Sequence, residues 1–179
     1  WMFQRALHNE FVRRGIRREA ATIVTQVLVD RADPAFAKPT KPVGSYMDET
    51  VARERAASFG WTVRHEESRG WRRVVPSPAP RAIAEIDTIR RALAAACAVV
   101  ACGGGGIPVV EDERGEYQGI EAVIDKDLAS SLMARDLAAD LFVVSTAVDK
   151  VAIGFGTPNP RWLDRLTVAE ARRYAAAGE

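Results

Sequence analysis

Apolar residues recur four apart at the start of the chain. Phe3, Leu7 and Phe11 share one face of a helix expected from Trp1 to Arg14, and Gly15 ends it. No capping residue precedes this helix, so the chain is expected to begin inside an element. From Ala21 to Val29 β-branched residues replace the helical period and predict one buried strand, closed by the turn Asp30-Arg31-Ala32-Asp33-Pro34. Pro34, Pro39 and Pro42 then predict a stiff loop ending near Gly44. Asp48 and Gly60 bracket a short helix as N-cap and C-terminal stop. Trp61 to Arg64 and Trp71 to Val74 alternate apolar and polar around a turn at Glu66–Gly70. That pattern predicts a β-hairpin, with Trp61 facing Trp71 across it.

The second half alternates strand and helix. A helix from Asp87 carries Ile89, Leu93 and Ala96, and Ala98–Cys102 is a short apolar strand running into Gly103-Gly104-Gly105-Gly106. Val109 and Val110 are apolar again, and Glu111–Gly119 reads as a polar turn. Ile120–Ile124 predicts a strand that feeds a helix at Asp125-Lys126-Asp127, with Asp127 near the N-cap and Leu128, Leu132 and Leu137 along the helix. Leu141–Ser145 predicts the next strand, with Thr146 to Asp149 at its carboxyl end. Gly154, Gly156 and Pro158 predict an open loop. Thr167 and Glu170 have capping-box spacing for a last helix ending at Gly178. Both ends are expected to be cuts through a larger protein or limits of the described chain. This order predicts an α/β fold with a largely parallel sheet. In such folds ligands sit at the carboxyl ends of strands, where three motifs of this chain fall.

Charge and composition narrow the classes. Twenty-five Lys and Arg against 24 Asp and Glu leave a net charge of +1, which provides no field for nucleic acid or a membrane surface. No apolar run reaches the ~18 residues of a membrane span, and a cytoplasmic location is expected. Two cysteines, Cys97 and Cys102, are too few for a disulfide framework or a four-ligand zinc site, and both are expected to be buried thiols. The cations are 21 arginines and only four lysines: Lys38, Lys41, Lys126 and Lys150. A scarce lysine marks a place where a compact ammonium is needed and a planar guanidinium does not fit, or else a codon bias.

The motifs carry the chemistry. Four glycines after a strand let backbone N–H groups approach an anion, although a tight turn would use them too. No Gly-Lys-Ser/Thr follows, so this is not a P-loop. Pro108 stands where a dinucleotide fingerprint needs glycine. Lys126 at a helix start opposes the helix dipole, which an intervening anion would relieve and a surface salt bridge would also explain. Thr146-Ala147-Val148-Asp149-Lys150 is either a strand-end site or a plain connection. Cys102 has no histidine near it in sequence, and His8 and His65 read as structural.

Taken together, Thr40-Lys41-Pro42-Val43-Gly44, Arg73-Val74-Val75-Pro76-Ser77-Pro78, Ala101-Cys102-Gly103-Gly104-Gly105-Gly106-Ile107-Pro108, Ala122 to Ser130 with its Asp-Lys-Asp, and Thr146 to Val151 closely resemble carbamate kinase, across essentially the whole chain. The resemblance implies the amino-acid-kinase fold, a three-layer α/β/α sandwich with a mainly parallel sheet. It implies an N-terminal carbamate or carbamoyl-phosphate lobe at 1–34 and 74–118, a protruding subdomain at 35–73, and a nucleotide lobe at 119–179. The implied reaction is ADP plus carbamoyl phosphate giving ATP plus carbamate, with Mg2+ accompanying the nucleotide and no protein metal ligand assigned. A homodimer and a role in arginine fermentation are implied as well.

By the same resemblance Lys126 contacts the transferred phosphoryl group, Asp127 orients the lysines, and Lys41 reaches toward the substrate. Gly103, Gly104, Gly105 and Gly106 border the substrate. Thr146, Ala147, Val148, Asp149, Gly156 and Pro158 hold the nucleotide. The family's Gly-Gly-Asn loop, a second glycine-rich loop ending Gly-Asn-Gly-Pro, and a Gly-Ser-Met-Gly-Pro-Lys motif have no counterpart here. The 179-residue chain alone is therefore expected to be nearly inactive. The alternatives are a non-catalytic form of the fold that binds nucleotide, or another kinase of the superfamily; the excursion with Lys41 argues against the latter.

Overall fold

The structure, a computed structural model, describes residues 1–178. In chain order its elements are α1 (Met2–Arg13), β1 (Ala20–Thr22), β2 (Gln26–Val29), β3 (Lys41–Met47), α2 (Glu49–Phe59), β4 (Thr62–Glu66), β5 (Gly70–Val75), β6 (Pro80–Ile83), α3 (Ile86–Ala94) and β7 (Ala98–Val100). They continue with β8 (Ile107–Glu111), β9 (Tyr117–Gly119), α4 (Lys126–Asp136), β10 (Val151–Ile153), β11 (Arg161–Leu163) and α5 (Val168–Ala177). Contacts divide the chain into two compact units, Trp1–Phe142 and Val143–Glu179.

The larger unit is α/β, with mixed sheets. Among the described residues, parallel pairing is confined to β1 with β7 and β2 with β8. A four-stranded sheet has the order β6-β2-β8-β9, antiparallel at both margins. Along β2 the side chains alternate, Val27 and Val29 buried and Gln26 and Leu28 only partly so, as a sheet with one face on a core requires. The core joins Val27, Val29, Ile83, Ile89, Cys102, Val110, Ile124, Ala129 and Leu132. α4 contributes Ala129 and Leu132, three apart on one face. Burying an isoleucine such as Ile89 or Ile124 stabilises by about 1.5–3 kcal/mol.

Residues 41–75 form their own antiparallel sheet of order β3-β5-β4, with α2 packed on it. α2 starts where Asp48 accepts the Val51 N–H at 2.8 Å and stops at Gly60, whose φ of 65° is left-handed. In the smaller unit β10 and β11 form a hairpin, and the Thr167–Glu170 capping box opens α5.

Several expectations are corrected. The apolar run 21–29 is two strands, because Ile23, Val24 and Thr25 leave the ladder between them. The expected proline loop contains β3. Pro42 is tolerated because β3 is an edge strand, and a register break between Val43 and Met47 absorbs Gly44 at φ 71°. Trp61 lies outside the hairpin ladder; Trp71 pairs with His65, and Trp61 packs near Phe59. The expected turn at Glu111–Gly119 contains the end of β8 and β9. Ile120–Ile124 and Leu141–Ser145 are not strands. Leu141 is 78% exposed and Val143 73%, so that second run has no covering partner among the described residues. Cys102 is buried, whereas Cys97 is only half-buried.

Candidate functional site

Two short loops run side by side where the parallel strands change sheets. One is Ile23–Thr25, between β1 and β2. The other is Ala101–Gly106, between β7 and β8. The Ile23 N–H donates to Val100 O at 2.9 Å, and the Ile107 N–H donates to Thr25 O at 2.8 Å, which ties the loops at both ends. Thr25 is buried, donates to Ile23 O at 2.9 Å and accepts the Cys102 N–H at 2.8 Å. The loops line an open cleft of about 450 Å³ whose walls include Val24, Thr25, Gly103, Gly104 and Gly106.

The four glycines divide into two kinds. A Cβ on Gly105 would lie 2.2 Å from Ile124 O, and one on Gly106 would lie 2.4 Å from a Val27 methyl. These two are required by packing. Gly103 and Gly104 face open space, and Gly104 has no left-handed φ. Sterics within the chain do not demand glycine at 104. Close approach of a ligand to the backbone would.

The contact of Gly105 on Ile124 places the loop beside the start of α4. Asp125 is the N-cap, not Asp127: its carboxylate accepts the N–H of Asp127 at 2.9 Å and of Leu128 at 3.3 Å. The other Asp125 oxygen binds the Lys41 ammonium, brought from 84 residues away at the start of β3. Both side chains are near 30% exposed, Lys41 at 30% and Asp125 at 32%. The Lys41 ammonium and then the helix amides hold the Asp125 carboxyl below the usual carboxylate range, against the opposing effect of burial. Lys126 is exposed and pairs with Asp127 at 2.9 Å, which raises the Lys126 ammonium above its ordinary value. The structure thus brings together Lys41, Asp125, Lys126, Asp127 and the glycine loop. Sequence reasoning left Asp125 and Thr25 out of the site. Asp125 was visible as the first carboxylate of its motif; Thr25 had no signal beyond a hydroxyl in an apolar run.

Cys102 sits in the loop at φ 60°, but burial and the charge of Glu85 push its thiol up, away from the nucleophilic form. Among the described residues no three His, Cys, Asp or Glu side chains converge as a metal cage. Asp125 and Asp127 each already hold an ammonium.

In the smaller unit, Ala147, Val148, Asp149 and Lys150 line a cleft of about 500 Å³ with Trp162, which the sequence reading did not single out. Thr146 precedes this lining. Gly156 and Pro158 lie in the β10–β11 turn and are not among the lining residues. That turn is held by Thr157, whose hydroxyl donates to Gly154 O at 2.7 Å. Lys150 binds Asp164.

Residues 8–179 match the family model described as the amino acid kinase family. The chain belongs to the amino acid kinase family. It is 48% identical over 178 residues to a carbamate kinase of Pyrococcus horikoshii, covering 99% of this chain and 56% of that relative. A crystal structure from Aeropyrum pernix K1 superposes with a TM-score of 0.87 at 44% identity, over 98% of this chain and 56% of the other. A carbamate kinase of Giardia lamblia bound to AMP-PNP superposes with a TM-score of 0.83 at 38% identity, over 99% and 56%. The α/β class and the amino-acid-kinase resemblance therefore hold. The chain spans little more than half the length of the relatives it matches. No helix among the described residues is long and apolar enough to cross a membrane.

Proposed function

We propose that this chain carries the central machinery of a carbamate kinase, an amino acid kinase family phosphotransferase. The reaction is reversible: the bond from phosphorus to the carbamoyl oxygen breaks, and one to a terminal oxygen of ADP forms, giving carbamate and ATP. Carbamate leaves as an anion, so neither direction needs a general base. The work is positioning and charge neutralisation.

The Lys41–Asp125 ion pair beside Lys126 carries this reading. Lys126 would reach the transferred phosphoryl group, with Asp127 orienting it. Lys41 would meet the substrate from the 35–73 segment, with Asp125 holding it in place. Gly103 to Gly106 would border the carbamoyl phosphate through backbone N–H groups. The 1–34 and 74–118 segments would form that substrate's lobe, and 119–179 part of the nucleotide's. Thr146 to Asp149, with Gly156 and Pro158, would hold the nucleotide. Mg2+ would arrive as the counter-ion of ADP or ATP, because the carboxylates near the lysines are already committed. A cytoplasmic homodimer serving arginine breakdown fits this chemistry. A second reading is a non-catalytic fold that binds nucleotide.

The test is ATP formation from ADP and carbamoyl phosphate. The 179-residue chain alone is expected to be nearly inactive. Losing one such charge contact costs ~2.7–4 kcal/mol, a hundredfold or more. Adding the segments by which the Pyrococcus horikoshii relative exceeds this chain should restore turnover. Lys126→Ala should abolish it again. A folded but inactive chimera favours the non-catalytic reading, and robust turnover by the chain alone overturns the expectation of inactivity.

A further inference from the structure

The β3-β5-β4 sheet and the helix α2 packed on it carry guanidinium groups with no carboxylate partner among the described residues. Arg53 pairs with Glu49, Arg64 with Glu66, and Arg72 donates to Gly44 O. Arg55 and Arg73 take no carboxylate among the described residues. Both instead lie over Trp61, with Cζ at 5.9 Å and 4.7 Å from the ring centroid, and Arg55 lies closer still to Phe59, at 5.3 Å. Arg73 cannot find a carboxylate on the neighbouring strands, because its register partners are Val43 on one side and Val63 on the other. It is half-buried all the same.

A guanidinium stacked on a ring uses its face. Its five N–H donors lie in the plane and stay available to an oxyanion. Two like charges gathered on one indole repel, and an anion between them would relieve that repulsion. Arg55, Trp61 and Arg73 line a single cleft of about 530 Å³, whose other walls include Tyr46, Met47 and Val51. That volume and its mix of apolar wall with a few polar groups are those of a small-molecule site. Lys41, Asp125, Lys126 and the glycine loop are not among the lining residues.

We propose that this cleft binds a small phosphate monoester with a flat apolar body. The Arg55 and Arg73 donors hold the phosphate oxygens, and Tyr46, Met47 and Val51 cover the apolar part. The assignment stands apart from the phosphoryl-transfer reading, since it uses none of that site's residues.

The probe is phenyl phosphate, titrated onto the full chain with the Trp61 indole N–H followed by NMR and assigned through Trp61→Phe. A saturable Trp61 shift is expected. Inorganic phosphate should bind more weakly, and benzyl alcohol should produce no shift. Arg55→Gln and Arg73→Gln should each weaken binding about tenfold or more. Lys41→Ala should leave it unchanged. Absence of a saturable shift overturns the proposal. So does a shift lost in Lys41→Ala but kept in both arginine variants. Inorganic phosphate binding as tightly as phenyl phosphate overturns the ligand class. Arg55 is exposed on α2, so Arg55→Gln decides the matter if Arg73→Gln fails to fold.

Discussion

The two lysine-bearing regions are held by different means. Lys41 is tied to a carboxylate 84 residues away, at the cap of a helix whose Ala129 is fully buried, and Ile124, the residue before that cap, is 1% exposed. Lys150 is tied to Asp164, 14 residues away, in a unit whose strands β10 and β11 and helix α5 bury no side chain completely. The first region inherits its geometry from a core. The second depends on local contacts: a turn, a capping box and a hairpin. Removing core atoms should therefore disturb the first region and spare the second.

The largest expected effect is at Ile124. Ile124→Ala should destabilise the larger unit by about 2–5 kcal/mol, read by chemical denaturation, because Ile124 fills the core and abuts Gly105. The α5 amide signals should persist. Next comes the glycine loop. Gly105→Ala should cost about 1–3 kcal/mol or more, since its Cβ meets a carbonyl. Gly104→Ala should stay within about 0.5 kcal/mol in stability while weakening carbamoyl-phosphate binding. Equal destabilisation by both would erase the division of the loop into packed and ligand-facing glycines.

Asp125→Ala should cost about 1 kcal/mol through the lost cap and should free Lys41. Thr167→Ala should fray α5 alone, seen as faster amide exchange there. The smallest effect is on pH dependence. The Asp125 carboxyl is depressed in the fold, so its stabilising share is present above the unfolded aspartate value of about 3.9. That share is lost as pH falls below this value and through the folded one. Acid titration of Asp125→Asn should show a shallower loss of stability in that window than the parent chain.

Local signals in the sequence carried far. Asp48 with Gly60, Thr167 with Glu170, and the hairpin at Glu66–Gly70 are each decided within a few residues, and each matches the fold. What failed was decided by distant partners. Ala98–Val100 and Leu141–Ser145 have the same apolar character, yet only the former has a strand, β1, to pair with. Unpaired backbone is not a strand, whatever its propensity. β3 was obscured because Pro42 and Gly44 read as breakers when an edge position and a register break accommodate both. Within the site, Lys41 and Lys126 stood out as scarce lysines, but Asp125 as their organiser required the fold.

The most direct test of the account uses that scarcity. With lysine side chains isotope-labelled, the chain gives four ammonium-bearing signals, from Lys38, Lys41, Lys126 and Lys150. Titrating carbamoyl phosphate should shift Lys41 and Lys126 together and saturably, while Lys38 and Lys150 stay in place. Shifts confined to Lys38 or Lys150, or no saturable shift at all, would contradict a carbamoyl-phosphate site built by Lys41, Asp125 and Lys126.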